Sequence, residues 1–240
     1  MNLAIDIGNT LQKIAVFSND DCVLTKSLPL INEEVLEEIF QQFSIKNSIV
    51  SSVAELDTQI IELLKSNTQL LLYSHETKLP IKNRYSSVET LGLDRIANAV
   101  GAVALFPKKN VLSIQAGTCI VLDFVNKKGE YLGGSISPGI QMRFDLLHKK
   151  TKKLPQIAAQ HPPRVLLGTD TESSIICGAL NGICYEIDGF IDDYRTEYED
   201  IIVLFTGGDS PYLQKLIKNT IFAAPNLVLK GLNEIIKHNV

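Results

Sequence analysis

Apolar positions along the chain follow two periods, and the first is that of strands. Residues 2–7 and 13–17 are short apolar runs on either side of a Gly-Asn-Thr turn, and they predict a hairpin. Residues 35–43 carry helical spacing, with Val35, Leu36, Ile39, Phe40 and Phe43 apolar. A β-branched run at 48–53 predicts a buried strand, residues 57–65 a helix with Asp57 as N-cap, and residues 70–73 a further strand. This alternation of strand and helix argues for α/β layering.

Residues 81–91 read as a loop. From 94 to 106 the pattern turns helical and rich in small residues (Ala97, Ala99, Gly101, Ala102, Ala104), which lets a helix pack closely on a neighbour; Pro107 ends it. Strands are predicted at 111–114 and 119–125, with a return strand at 131–132 and a flexible glycine loop at 133–139. Residues 145–163 are polar and then Pro-rich, an excursion from the core. A long helix is predicted over 171–198, with Gly178, Gly182 and Gly189 as points of bending. Then come a buried strand at 201–205, helices at 212–218 and 231–238, and a strand at 227–229 between them.

The first turn has a counterpart. Asp6-Ile7-Gly8-Asn9-Thr10 follows Leu3-Ala4-Ile5, and Gln115-Ala116-Gly117-Thr118 follows Val111-Leu112-Ser113-Ile114. Each is a strand, a tight turn with Gly and Thr, and a second strand. Such turns expose main-chain N–H groups and a hydroxyl, the donors that hold phosphate oxygens. The duplication predicts two similar halves, 1–108 and 109–240, and phosphoryl chemistry in a cleft between them.

Composition narrows the picture. With 240 residues, 45% hydrophobic, the chain has ample core for one or two globular domains. A net charge of −4 argues against a broad nucleic-acid footprint. The local exception is the basic run 148–153, read either as a solvated loop or as a cationic flap near an anionic ligand. Cys22, Cys119, Cys177 and Cys184 form no C-x-x-C pair and lie in or beside apolar stretches, which predicts buried, reduced thiols. No N-terminal signal pattern and no long apolar span were found, so a soluble cytoplasmic protein without membrane contact is expected.

The candidate residues each admit a plain reading beside a chemical one. Asp6, with Gly8, Asn9 and Thr10, would bind Mg²⁺ beside a phosphate-holding turn; otherwise it shapes the hairpin as an Asx-turn. Lys13 reaches a phosphate or is a surface lysine. In Gly92-Leu93-Asp94-Arg95, Asp94 is either a helix N-cap or a general base, with Arg95 pairing an anionic group of the substrate. Thr206-Gly207-Gly208-Asp209 is either an ordinary tight turn or one that admits a flat base or ribose. P-loop, protein-kinase, G-x-S-x-G and zinc signatures are absent.

In this order, the residues closely resemble the type III pantothenate kinases. The pieces are Asp6-x-Gly8-Asn9-Thr10; Tyr85 ahead of Leu91-Gly92-Leu93-Asp94-Arg95; Ala116-Gly117-Thr118; the segment 133–139; Gly168-Thr169-Asp170-Thr171; Thr206-Gly207-Gly208-Asp209; and the closing segment 227–232. The resemblance implies two ribonuclease H-like domains of the acetate kinase/Hsp70/actin-like superfamily with the active site between them. It implies ATP-dependent phosphorylation of pantothenate to 4′-phosphopantothenate by a homodimer using Mg²⁺ and a monovalent cation, K⁺ or NH₄⁺. Asp94 would be the base, with Tyr85, Gly92, Leu93, Arg95 and Thr171 on pantothenate. Asp6, Ile7, Gly8, Asn9, Thr10, Lys13, Gly117, Thr118, Gly207 and Gly208 would hold ATP, and Asp6 and Gln115 the metal.

One departure bears on function. The family usually has Asp where this chain has Gln115, which keeps an oxygen acceptor but loses a charge, so cation affinity should fall. Val88, where the family often has Pro, should affect loop stiffness alone. Two other readings stay open: a non-catalytic nucleotide-binding regulator of the same fold, and a related sugar or acyl kinase. Retention of both Asp6 and Asp94 argues against the first, and the segment 85–95 against the second.

Overall fold

The computed structural model describes residues 1–8, 10–52, 57–157 and 161–240. Its contacts divide the chain into two units: Met1–Lys108 with Lys128–Leu132 and Asn226–Val240, and Lys109–Lys127 with Gly133–Pro225. The sequence reading placed the last fifteen residues with the second half; the contacts place them with the first.

The first unit is built on a five-stranded sheet, ordered β3-β2-β1-β4-β5. Its strands are β1 (Asn2–Ile7), β2 (Gln12–Ser18), β3 (Asp21–Leu28), β4 (Asn47–Ser52) and β5 (Gln69–Leu72). β1 to β3 are antiparallel neighbours, while β1, β4 and β5 run parallel. The predicted strand at 48–53 is therefore β4, and its last residue, Val53, lies outside the described residues. Helices α1 (Glu33–Gln42) and α2 (Thr58–Asn67) cover one face, where Leu36, Ile39, Ile60 and Leu64 pack on Leu3, Ile5, Ile14, Val16 and Val50. Both begin on side-chain caps: Asn32 accepts from Val35 N at 3.1 Å and Asp57 from Gln59 N at 2.9 Å. β3 escaped the sequence reading because it is a half-exposed edge strand of mixed polarity.

Helices α3 (Leu93–Leu105) and α7 (Leu227–Asn239) contact the sheet beside β4 and β1. They meet at small residues. A Cβ on Gly231 would overlap the Ala97 carbonyl, and one on Gly101 would lie 2.6 Å from the Leu227 carbonyl. The sequence placed a strand at 227–229 and a separate helix at 231–238; the structure has one helix. Leu227, Val228, Leu229, Leu232, Ile235 and Ile236 are all buried, so the apolar run belongs to a helix enclosed on more than one side. A two-residue strand β6 (Lys82–Asn83) and a 3-10 turn (Val88–Thr90) lie within the predicted loop 81–91.

In the second unit β7 (Asn110–Ala116) pairs with β8 (Cys119–Val125) and, in parallel, with β10 (Ile201–Thr206); β11 (Phe222–Ala223) extends β10. β9 (Glu130–Pro138) neighbours β8, and its first three residues belong to the first unit. It replaces the expected short strand and glycine loop. A Cβ at Gly134 would overlap the Leu122 carbonyl, so glycine there permits close approach of strands rather than mobility. The core helix is α5 (Thr171–Glu197), opened by an Asp170–Ser173 capping box. It is long and apolar enough to cross a membrane, contrary to the sequence reading, and its apolar side packs in the core: Ile176, Leu180, Ile183 and Ile187 lie with Leu112, Ile114 and Phe124. It runs through Gly178, Gly182 and Gly189 as one helix.

Helix α4 (Ile140–Lys150) occupies the start of the expected excursion. Ile140 and Phe144 bury its apolar side, and His148, Lys149 and Lys150 fill its last turn, where the helix dipole favours positive charge. Half of the basic run is thus a helix end, not a loop. Helix α6 (Ser210–Leu213) is shorter than expected. Of the cysteines Cys184 alone is buried; Cys22 is exposed on β3, and Cys119 and Cys177 are partly so.

Candidate functional site

In the first unit the candidate residues converge on the carboxyl ends of the parallel strands. Asp6 is the penultimate residue of β1, in register with Lys13 on β2 and Ser51 on β4. Residues paired across neighbouring strands share a face. Asp6 and the buried Ser51 therefore point together, away from Ile5 and Val50. Ile7 turns the other way and lines a cavity of about 430 Å³ with Ile5, Gln12 and Asn32. Gly8 N donates to Leu11 O at 3.3 Å and closes the turn, Thr10 is exposed, and Asn9 lies outside the described residues.

Asp94 is the second residue of α3. The N-cap is Gly92, which offers no side chain, so the reading of Asp94 as cap does not hold. Its Oδ1 lies over Gly92, 2.6 Å from where a Cβ would stand. Asp94 also acts on Asp6: the Asp6 carboxyl is pushed up to about 6, first by burial and then by the Asp94 charge, against a lowering by Lys13. Two carboxylates on one face, one of them half-inclined to hold a proton, form an environment that favours a cation. Oxygen donors suit Mg²⁺, which keeps several waters and few protein ligands. No cluster of three or more His, Cys, Asp or Glu groups suited to a metal occurs among the described residues.

Arg95 follows Asp94 and is buried, its Cζ 5.7 Å from the Tyr85 ring centroid. Tyr85 in turn lies 6.1 Å from the Tyr131 ring, and its N–H donates to Asn83 Oδ1 at 3.0 Å. Tyr85, Gly92, Leu93, Asp94 and Arg95 are thus one neighbourhood. Sequence reasoning missed Ser51, Tyr73, Asn98 and Tyr131 there. A signal existed for Asn98, which stands one helical turn after Asp94 and is buried.

In the second unit two turns lie side by side. Gly117 N donates to Cys119 O at 3.0 Å and closes the turn, and nothing lies within 4 Å of a Cβ built there, so the space beside its Cα is open. Gly139 N donates to Thr118 O at 3.0 Å, and a Cβ on Gly139 would overlap the Gly117 carbonyl. Gly207 has φ +97°, with its Cα against the Ala116 carbonyl, which also accepts from Asp209 N at 3.1 Å. Gly117, Thr118, Gly207 and Gly208 therefore gather at the end of β7. His161 joins them: it lies 3.3 Å from Asp209 and stacks on Tyr212. Gln115 sits on β7 between Val121 and Thr206. Thr171, in the second unit, opens α5 and lines a cavity of about 980 Å³ with Arg143, Leu147 and Asp170.

Glycine turns with open space beside them and a carboxylate pair at a strand end suit phosphate and metal, and a carboxylate at a helix start suits proton transfer. The comparisons agree with that chemistry. A protein from Christiangramia forsetii named type III pantothenate kinase is 46% identical, covering 100% of this chain and 99% of its own. Among solved structures, a Campylobacter jejuni protein assigned to the Baf family of transcriptional activators aligns with TM-score 0.60 at 22% identity, over 99% of this chain and 98% of that one. A Sinorhizobium meliloti protein assigned as a 2-dehydro-3-deoxygalactonokinase aligns with TM-score 0.57 at 11% identity, over 100% and 99%. At such identities these two speak for the fold alone, a two-sheet α/β architecture. The model of the type III pantothenate kinase family matches residues 2–193, and with the full-length relative it establishes that this chain belongs to that family.

Proposed function

We propose that the chain transfers the γ-phosphoryl group of ATP to the hydroxyl of pantothenate, forming 4′-phosphopantothenate, the first step towards coenzyme A. The observation that carries this is the convergence of Asp6 and Asp94 on one side of the first sheet, next to the Tyr85–Arg95 group. Asp94 accepts the proton of the pantothenate hydroxyl as its oxygen bonds to the γ-phosphorus and the bond to ADP breaks. Such transfers depend on positioning and charge neutralisation more than on covalent help. Asp6 holds Mg²⁺, which supplies positive charge to the phosphate oxygens when bound. Lys13, Gly8, Asn9, Thr10 and the main chain of Ile7 hold phosphates, as do Gly117 and Thr118. Gly207 and Gly208 flank the adenosine, and Tyr85, Gly92, Leu93, Arg95 and Thr171 contact pantothenate.

Gln115 offers a neutral oxygen to the monovalent cation, K⁺ or NH₄⁺. The working form is a homodimer in the cytoplasm, where ATP is at hand. Leu166, Leu167 and Tyr185 leave apolar surface uncovered on the second unit, which supports association. The test is ADP release with and without pantothenate. Asp94→Asn should lower kcat by about 10²–10⁴-fold while ATP still binds; pantothenate-independent ADP release alone would refute the reading.

A further inference from the structure

One buried polar group beside Asp94 has no place in the mechanism so far. Tyr73 follows β5, and its N–H donates to Val50 O at 2.9 Å. Leu72 pairs with Val50, so Tyr73 stands next to Ser51 and ends the row that begins with Asp6. Its side chain is 6% exposed, and its hydroxyl finds no hydrogen-bond partner among the described residues. A buried, unpaired phenol costs folding free energy that phenylalanine would avoid. The Asp94 carboxylate is near enough to raise the Tyr73 phenol further, after the larger effect of burial. Asp94 itself is folded back over Gly92, at a helix start with no side-chain cap.

We propose that Tyr73 is a positioning residue for Asp94. When pantothenate binds, Asp94 turns from Gly92 and one of its oxygens accepts from the Tyr73 O–H, which leaves the other aimed at the substrate hydroxyl. The hydroxyl is too deeply buried to serve the substrate directly, so it acts through Asp94. The inference rests on the kinase reading above.

The test is Tyr73→Phe, measured for kcat, for KM of pantothenate and of ATP, and for thermal midpoint. Losing a hydrogen bond to a charged group should lower kcat roughly ten- to hundredfold. Both KM values should stay within about twofold, and the midpoint should stay level or rise, because an unpaired hydroxyl is removed. An active wild type with unchanged kcat in Tyr73→Phe overturns the role of Tyr73 alone. So does a variant that melts lower and loses activity in parallel, which marks a structural hydroxyl. A wild type without pantothenate-dependent turnover overturns the kinase reading first, and this role with it.

Discussion

At the residue scale the structure sets stability against chemistry at Asp6. Burial and the neighbouring Asp94 hold its carboxyl near 6, above the ordinary 3.8. The folded state therefore binds a proton that the unfolded state releases between those values. Its destabilising effect is absent below about pH 3.8, grows as pH rises, and is complete above about pH 6. Asp6→Asn should accordingly raise the thermal midpoint at pH 8 without Mg²⁺ and give no gain at pH 4, by a differential of up to about 3 kcal/mol. Calorimetry at the two pH values checks this, and the same variant should lose turnover. A second prediction concerns Gln115. Gln115→Asp should strengthen the response of kcat to K⁺ over Na⁺; an identical response in both proteins would remove this position from cation tuning. Asp6, Asp94 and the glycine turns can be singled out in the sequence because each lies in a local motif, although for Asp94 the role of base comes from the family resemblance and not from the motif. Ser51 and Tyr73 were not, since nothing in a strand's own sequence tells which side chain will stand in register with Asp6 across β4 and β5.

At the element scale, α3 is the part that brings Asp94 and Arg95 to the strand ends, and its placement depends on glycine contacts with α7. Gly231→Ala would force a methyl group into the Ala97 carbonyl. It should destabilise the protein by about 1–3 kcal/mol or more and lower activity through displaced α3. Denaturant titration with parallel assays would show the two falling together. Gly139→Ala acts elsewhere, pressing on the Gly117 carbonyl and disturbing the turn at residues 117–118. It should raise KM for ATP more than KM for pantothenate. The sequence reading found both glycines but took 133–139 for a flexible loop and 227–229 for a strand. A glycine that admits a close neighbour and a glycine that frees a turn are the same letter; only the partner main chain separates them. Helix α4 was overlooked because two buried residues, Ile140 and Phe144, make too faint a stripe.

At the scale of the whole molecule, the alternation of strand and helix and the repeated glycine turn were enough to read the α/β class and the two-part organisation. The return of the last helix to the first unit was not, because its apolar residues show that it is buried without showing against what. The exposed Leu166 and Leu167 belong to this scale as well. Sedimentation should give a dimer, and Leu166→Asp with Leu167→Asp should shift it towards monomer with reduced turnover; a wild-type monomer of full activity would contradict the assembly proposed. The measurement that goes most directly to the central claim is ADP release from Mg²⁺ and ATP, with and without pantothenate, by the wild type and Asp94→Asn. The account predicts turnover that requires pantothenate and is lost in the variant despite retained nucleotide binding. A folded wild type that binds ATP and yet shows no turnover with pantothenate would contradict it.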